Sequence, residues 1–305
     1  MNCARKYGTL LLALGLLVAV PACTEDMASG WKIADTRVLG VRAEVVGDPD
    51  TAAPSPGDTA RLTVLLAEPP GSESEPIGWG LALGPALFGG AARPITLDLP
   101  LPDAATLGAR RSLTTAGIVC TNGTPTLEPG AMQPTCGAGT TRSTTLLYTL
   151  SLARDGAPAN RNPTLGAGFA TLSDAPWEVA ADGLPATGCA SLAGGAALPL
   201  VHVQKTEKLI HLFIDDAQRE TYARTDGTMA REIITLSQFT TGGTLARQFS
   251  VWEGDAVALP DGAVLKWAPT DLTPGADGAL VRFWFVARDG RGGLAYTTRA
   301  ACVVP

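Results

Sequence analysis

Side chains able to do covalent, metal or acid–base chemistry are sparse: six cysteines and two histidines in 305 residues, with carboxylates scattered between them. Nucleophilic catalysis needs a serine or cysteine on a sharp turn, a histidine to take its proton and an acid to orient that histidine. The sequence holds no G-x-S-x-G, and its histidines are His202 and His211. Asp215 and Asp216 follow His211 closely, but His211 falls opposite Ile210, Leu212 and Ile214 on its strand, the position of a half-exposed histidine near solvated acids. Glycoside hydrolysis needs two carboxylates across a cleft. Glu220, Glu232, Glu253 and Asp255 are the candidates, and their spacing resembles a solvated acidic face. Asp48, Asp50 and Asp58 gather in one loop and Asp271 and Asp277 in another, neither with the spacing of an EF-hand, so no bound calcium is read from them. The turn Arg288-Asp289-Gly290-Arg291-Gly292-Gly293 lacks the lysine and following helix of a phosphate loop and reads as a hairpin turn. Asn122-Gly123-Thr124 has the form of a glycosylation sequon and reads as a turn. No catalytic residue, metal or cofactor is expected.

The cysteines carry more information. Residues 1–22 combine Arg5 and Lys6, an apolar run of about eleven residues and Val20-Pro21-Ala22 before Cys23, the arrangement of an export signal too short to be a spanning helix. Cys3 leaves with that segment. Four cysteines remain, Cys120, Cys136, Cys189 and Cys302, an even number suited to an oxidising compartment. They admit three pairings. Cys120 and Cys136 bracket a Gly/Pro/Thr-rich loop, which favours joining them to each other and leaves Cys189 for Cys302. A zinc site is disfavoured by the lack of C-x-x-C and the scarcity of histidine.

Composition narrows the class. Glycine (35) and proline (23) are frequent enough to disfavour long helices and to favour short segments joined by turns. A formal charge of −6, or −8 once Arg5 and Lys6 depart, argues against nucleic acid, which needs a basic surface.

The elements that must position these residues read mostly as strands. Residues 36–45 alternate, with Leu39, Val41, Ala43 and Val45 on one face, and residues 61–67 place Leu62, Val64 and Leu66 together. A strand around Trp79 covers residues 77–83. Residues 84–143 read as a long irregular region with one short helix over 103–113, capped by Asp103 and interrupted by Gly108. Further strands fall at 146–152, 208–214, 231–239, 244–252, 263–267, 281–286 and 294–304, with a helical turn at 216–224. Leu294, Tyr296, Thr298, Ala300, Cys302 and Val304 share parity on the last strand. Trp252, Trp267 and Trp284 read as core aromatics or, if two point outward, as a binding platform. Ala-Arg-Asp-Gly ends a hydrophobic strand at 153–156 and again at 287–290, a repeat at 134 positions that suits duplicated sandwich domains.

Three stretches, Pro56-Gly57-Asp58-Thr59, Asn160-Arg161-Asn162-Pro163 and Phe283 to Gly293, together with Val20-Pro21-Ala22-Cys23, resemble a group of bacterial lipoproteins, chiefly of myxobacterial type, with tandem Ig-like β-sandwich domains. The last motif is similar to the lipobox, which implies diacylglyceration of Cys23; Thr24 after it, in place of aspartate, implies sorting to the outer membrane. Against a minimal Ig-like domain, the 120–136 loop and residues 84–115 are insertions.

The expectation is an all-β chain of two tandem Ig-like antiparallel sandwiches: signal peptide 1–22, linker 23–35, a first domain 36–163 and a second 164–305. Its expected role is non-enzymatic, binding or envelope scaffolding, on the periplasmic or surface face of the outer membrane, with the membrane, other envelope proteins or glycans as partners. The alternative is a carbohydrate- or peptide-binding module of a surface complex, and after it a hydrolase.

Overall fold

The computed structural model describes residues 30–72, 75–153, 159–181, 183–185, 188–192, 198–203, 207–216, 219–224, 226–253 and 262–305. Cys23, the leader and residues 154–156 of the first Ala-Arg-Asp-Gly turn lie outside these residues.

In the first half the strands are β1 (Arg37–Val45), β2 (Thr59–Ala67), β3 (Ile77–Leu83), β4 (Ala86–Gly90), β5 (Ile95–Pro100), β6 (Ser112–Thr121), β7 (Pro125–Thr126), β8 (Thr135–Cys136) and β9 (Arg142–Ser151). They form an antiparallel sheet β1-β2-β5, a second of order β4-β3-β6-β9 and the short ribbon β7-β8. Val41, Ala43, Leu62 and Val64 from one sheet and Trp79, Val119 and Leu150 from the other belong to one core.

The second half contributes β10 (Ala170–Leu172), β11 (Ala175–Pro176), β12 (Leu200–His202), β13 (Lys208–Leu212), β14 (Thr221–Ala223), β15 (Met229–Arg231), β16 (Ile234–Thr240), β17 (Thr244–Leu245), β18 (Phe249–Trp252), β19 (Ala263–Ala268), β20 (Ala279–Arg288) and β21 (Leu294–Val304). Two five-stranded sheets, β11-β10-β13-β19-β17 and β12-β21-β20-β16-β18, share a core. Phe283 is its centre, with Trp177 and Trp267 each edge-on at 4.9 Å between ring centroids. Among the described residues the named strands all pair antiparallel except β12 with β21. The chain is thus all-β and built of layered antiparallel sheets.

A third cluster draws on both halves. Ile33, Leu39, Leu65 and Ala67 pack on Phe239, Trp284, Val286 and Leu294. β20 is therefore buried on both faces, Phe283 and Phe285 toward one core and Trp284 and Val286 toward the other, which is why it reads as a continuous apolar run rather than an alternating one.

Several expectations are corrected. Leu39 does not share a core with Val41 and Ala43, because a bulge between Val38 and Gly40 shifts the register against β2; an extra residue in a period-two strand moves neighbours to opposite faces. Residues 84–143 are irregular only in part. They contain β4, β5 and β6, and β6 pairs with both β3 and β9. The helix over 103–113 is only one turn, α1 (Ala104–Leu107), where the Asp103 carboxylate accepts the Thr106 N–H at 2.8 Å and Gly108 ends it at φ 56°. Residues 244–252 divide between two sheets, β17 pairing with β19 and β18 with β16. Thr221–Ala223 is a strand of the β14-β15 hairpin, not a helical turn. On β21 the shared parity splits, with Leu294 in the cluster between the halves and Ala300, Cys302 and Val304 around the Cys189 bridge.

Candidate functional site

The polar residues that the fold buries together lie where the connecting segment 159–162 meets both halves. Asparagine suits such a junction because one side chain both donates and accepts. Asn162 Nδ2 donates to the carbonyls of Ala43 (2.8 Å) and Pro49 (3.3 Å), and its Oδ1 accepts from the backbone N–H of Leu294 at 2.9 Å. Its own N–H donates to Asp50 O at 2.6 Å, and Ala52 N donates to Asn160 O at 2.8 Å. A single amide thereby ties the end of β1 to the start of β21.

Asn160 Nδ2 donates to Asp289 Oδ2 at 2.7 Å, and its Oδ1 accepts from the Arg291 guanidinium. Asp289 Oδ1 accepts the N–H groups of Arg291 (2.7 Å) and Gly293 (2.9 Å), closing the β20–β21 turn on itself. Gly293 has to be glycine, since a Cβ would stand 2.2 Å from Asp289 Oδ2 and 2.8 Å from Arg161 O. Burial pushes the Asp289 carboxyl up, against the hydrogen bonds from Asn160, Arg291 and Gly293 that favour its anion.

Arg291 extends the cluster to the β14-β15 hairpin. Its guanidinium pairs with Glu220, lies 3.5 Å from Glu232 Oε1 and stands 4.4 Å from the centroid of the Tyr222 ring. Glu232 is 1% exposed. Burial and the nearby Asp289 raise its carboxyl to about 7, outweighing the opposing pull of Arg291.

The remaining candidates sit elsewhere. His211 Nε2 lies 3.4 Å from Asp174, while Asp216 pairs with Arg219 and Arg231. His202 Nδ1 is 2.9 Å from the carbonyl of Pro305. The fold brings Glu220 and Glu232 together; Glu253 offers its backbone oxygen to Arg219, and Asp255 lies outside the described residues. Asp48 accepts from the Thr51 hydroxyl, Asp50 pairs with Arg161, Asp58 accepts the Ser55 N–H, and Asp271 pairs with Lys32. The carbonyl of Asp277 accepts the N–H of Ala190. Among the described residues no three histidine, cysteine or carboxylate side chains are grouped to hold a metal. Trp252, Trp267 and Trp284 are all buried, so none forms an exposed platform. Cys120 is joined to Cys136, between β6 and β8, and Cys189 to Cys302, between a 3-10 turn (Cys189–Ser191) and β21. No helix among the described residues is long and apolar enough to cross a membrane.

In the sequence, Asn160, Asn162, Asp289 and Arg291 read only as parts of turn motifs. Their partnership joins residues about 130 apart, and the one local signal was the pair of asparagines before Pro163 between two strand-rich halves.

No family model matches the chain, and no curated protein matches it. Among solved structures, one that is similar over 89% of this chain, at 11% identity and a TM-score of 0.22, is described as giving structural insight into host cell surface retention of a 1.5-MDa bacterial ice-binding adhesin. The match spans 65% of that chain's length.

Proposed function

We propose that the protein is an extracytoplasmic lipoprotein, tethered through Cys23 to the outer membrane, whose two Ig-like sandwich domains act as a non-enzymatic scaffold or binding body of the envelope. The observation that carries this reading is the spending of buried polar groups on the junction. Asn160 bonds Asp289, and Asn162 bonds the backbone of both halves, which stiffens the body. Two disulfides support an oxidising compartment. The tether is tested by Cys23→Ser with metabolic palmitate labelling: the variant is expected to lose label and move to the soluble fraction, and an unchanged membrane fraction sinks the anchor. Crosslinking in intact cells then identifies envelope neighbours.

One observation favours the alternative of a peptide- or glycan-binding module. A cleft of about 720 Å³ lies between β4 and the 122–125 turn, lined by Ile77, Trp79, Leu87 and Pro125, within the size range of ligand sites. Binding of a polysaccharide panel that is abolished by Leu87→Arg, with the fold intact, would favour this module over the scaffold.

A further inference from the structure

The β14-β15 hairpin pairs with no other strand among the described residues. Among its described residues only Ala230 is fully buried, while Thr221, Ala223, Arg224 and Met229 are exposed, so apolar packing contributes little to holding it down. What attaches it is charge at its base. Glu220 pairs with Arg291, Tyr222 lies under the same guanidinium, and Glu232 is buried 3.5 Å from it. Arg219 donates to the carbonyls of Glu232 (2.9 and 2.7 Å) and Glu253, and to Asp216 at 2.8 Å.

The charge in this space does not balance. Glu220, Glu232 and Asp289 face Arg291. Arg219 and Arg231 both pair with Asp216, and Arg161 with Asp50. Three carboxylates around one guanidinium, with two of them more than nine-tenths buried, cannot all stay ionised without cost. Glu232 Oε1 accepts no hydrogen bond among the described residues, so it is the oxygen with room for the proton.

We propose that this cluster is a proton-operated latch: a proton held on Glu232, beside Asp289, lets Arg291 clamp the β14-β15 hairpin through Glu220 to the connecting segment and the β20–β21 turn, and withdrawing it loosens the hairpin. The direction follows from linkage. Closed, Glu232 holds its proton up to about pH 7; in the opened hairpin it reverts to the ordinary glutamate value. The clamp is thus fully present below that ordinary value, weakens as pH rises toward 7 and levels off above it. Each pH unit between the two values is a factor of ten in opening, so the whole change is on the order of a hundredfold.

The test is hydrogen exchange of the mature protein from pH 5 to 8.5, corrected for intrinsic exchange. Protection of residues 219–232 is expected to fall on the order of a hundredfold up to pH 7 and then flatten, while β16 and β20 stay protected. Glu232→Gln, a neutral isostere that keeps both histidines, is expected to hold the hairpin closed across the range. A flat wild-type profile, or the same pH dependence in Glu232→Gln, overturns the proposal. Should that variant fail to fold, carbon-13 titration of the wild-type Glu232 carboxyl decides the matter, because a midpoint below pH 5 also overturns it.

Discussion

Asn162 shows how much a single side chain carries. Replacing it with alanine strands the buried carbonyl of Ala43 and the N–H of Leu294, and at about 1–3 kcal/mol for each unpaired group the expected loss is about 2–6 kcal/mol, read as a lower urea midpoint. Gly40 is constrained differently. Its backbone passes so near the second half that a Cβ would stand 2.6 Å from Leu294 Cδ1 and 3.3 Å from Arg288 Nη2. Gly40→Ala is therefore expected to cost about 1–3 kcal/mol through overpacking, whereas Gly275→Ala, with nothing within 4 Å of its added Cβ, is expected to leave the melting temperature within about a degree. Neither Asn162 nor Gly40 announces this in the sequence, since each partner is distant along the chain.

At the scale of elements, legibility followed burial on one face or two. Residues 208–214 were readable because Ile210 and Leu212 go inward while His211 and Leu209 do not. β6 was missed because seven of its ten residues from Thr115 on are buried on both faces, and small residues there make no alternating signal. Gly117 is part of the reason: a Cβ would meet Leu81 at 2.5 Å and Leu146 at 2.9 Å, so the two leucines close over a strand position that reads as a breaker. The disulfides differ in the loop they close. Removing Cys120–Cys136, a separation of 16, is expected to cost about 3 kcal/mol, and removing Cys189–Cys302, a separation of 113, about 5 kcal/mol on the chain-entropy model. Urea denaturation of the paired serine variants checks the order of the two losses.

The whole molecule depends on the cluster shared by the halves. Two independent sandwiches would unfold separately, but Leu39, Leu65, Phe239, Trp284 and Val286 form one contact region, so residues 31–305 are expected to melt in a single calorimetric transition. Trp284→Ala removes the largest side chain of that region and is expected to cost about 3–5 kcal/mol. If the coupling is as drawn, it also resolves the melt into two transitions; a single transition shifted downward as a unit would place the coupling in the Asn160 and Asn162 hydrogen bonds instead.

The chain's composition and short-range order determined its class: glycine and proline spacing, period-two runs and a low share of charge make strands and turns the economical solution, since alternation and turn chemistry act within a few residues. An even set of four cysteines left three pairings, of which the short loop between Cys120 and Cys136 favoured the one the fold forms, with Cys189 joined to Cys302. The tertiary structure alone chose which face Leu39 takes and where β5 and β6 run. It likewise made Glu220, Glu232, Asp289 and Arg291 a single buried cluster. Those outcomes depend on register, a bulge and long-range approach of backbones, quantities set by how sheets stack and which local patterns do not encode.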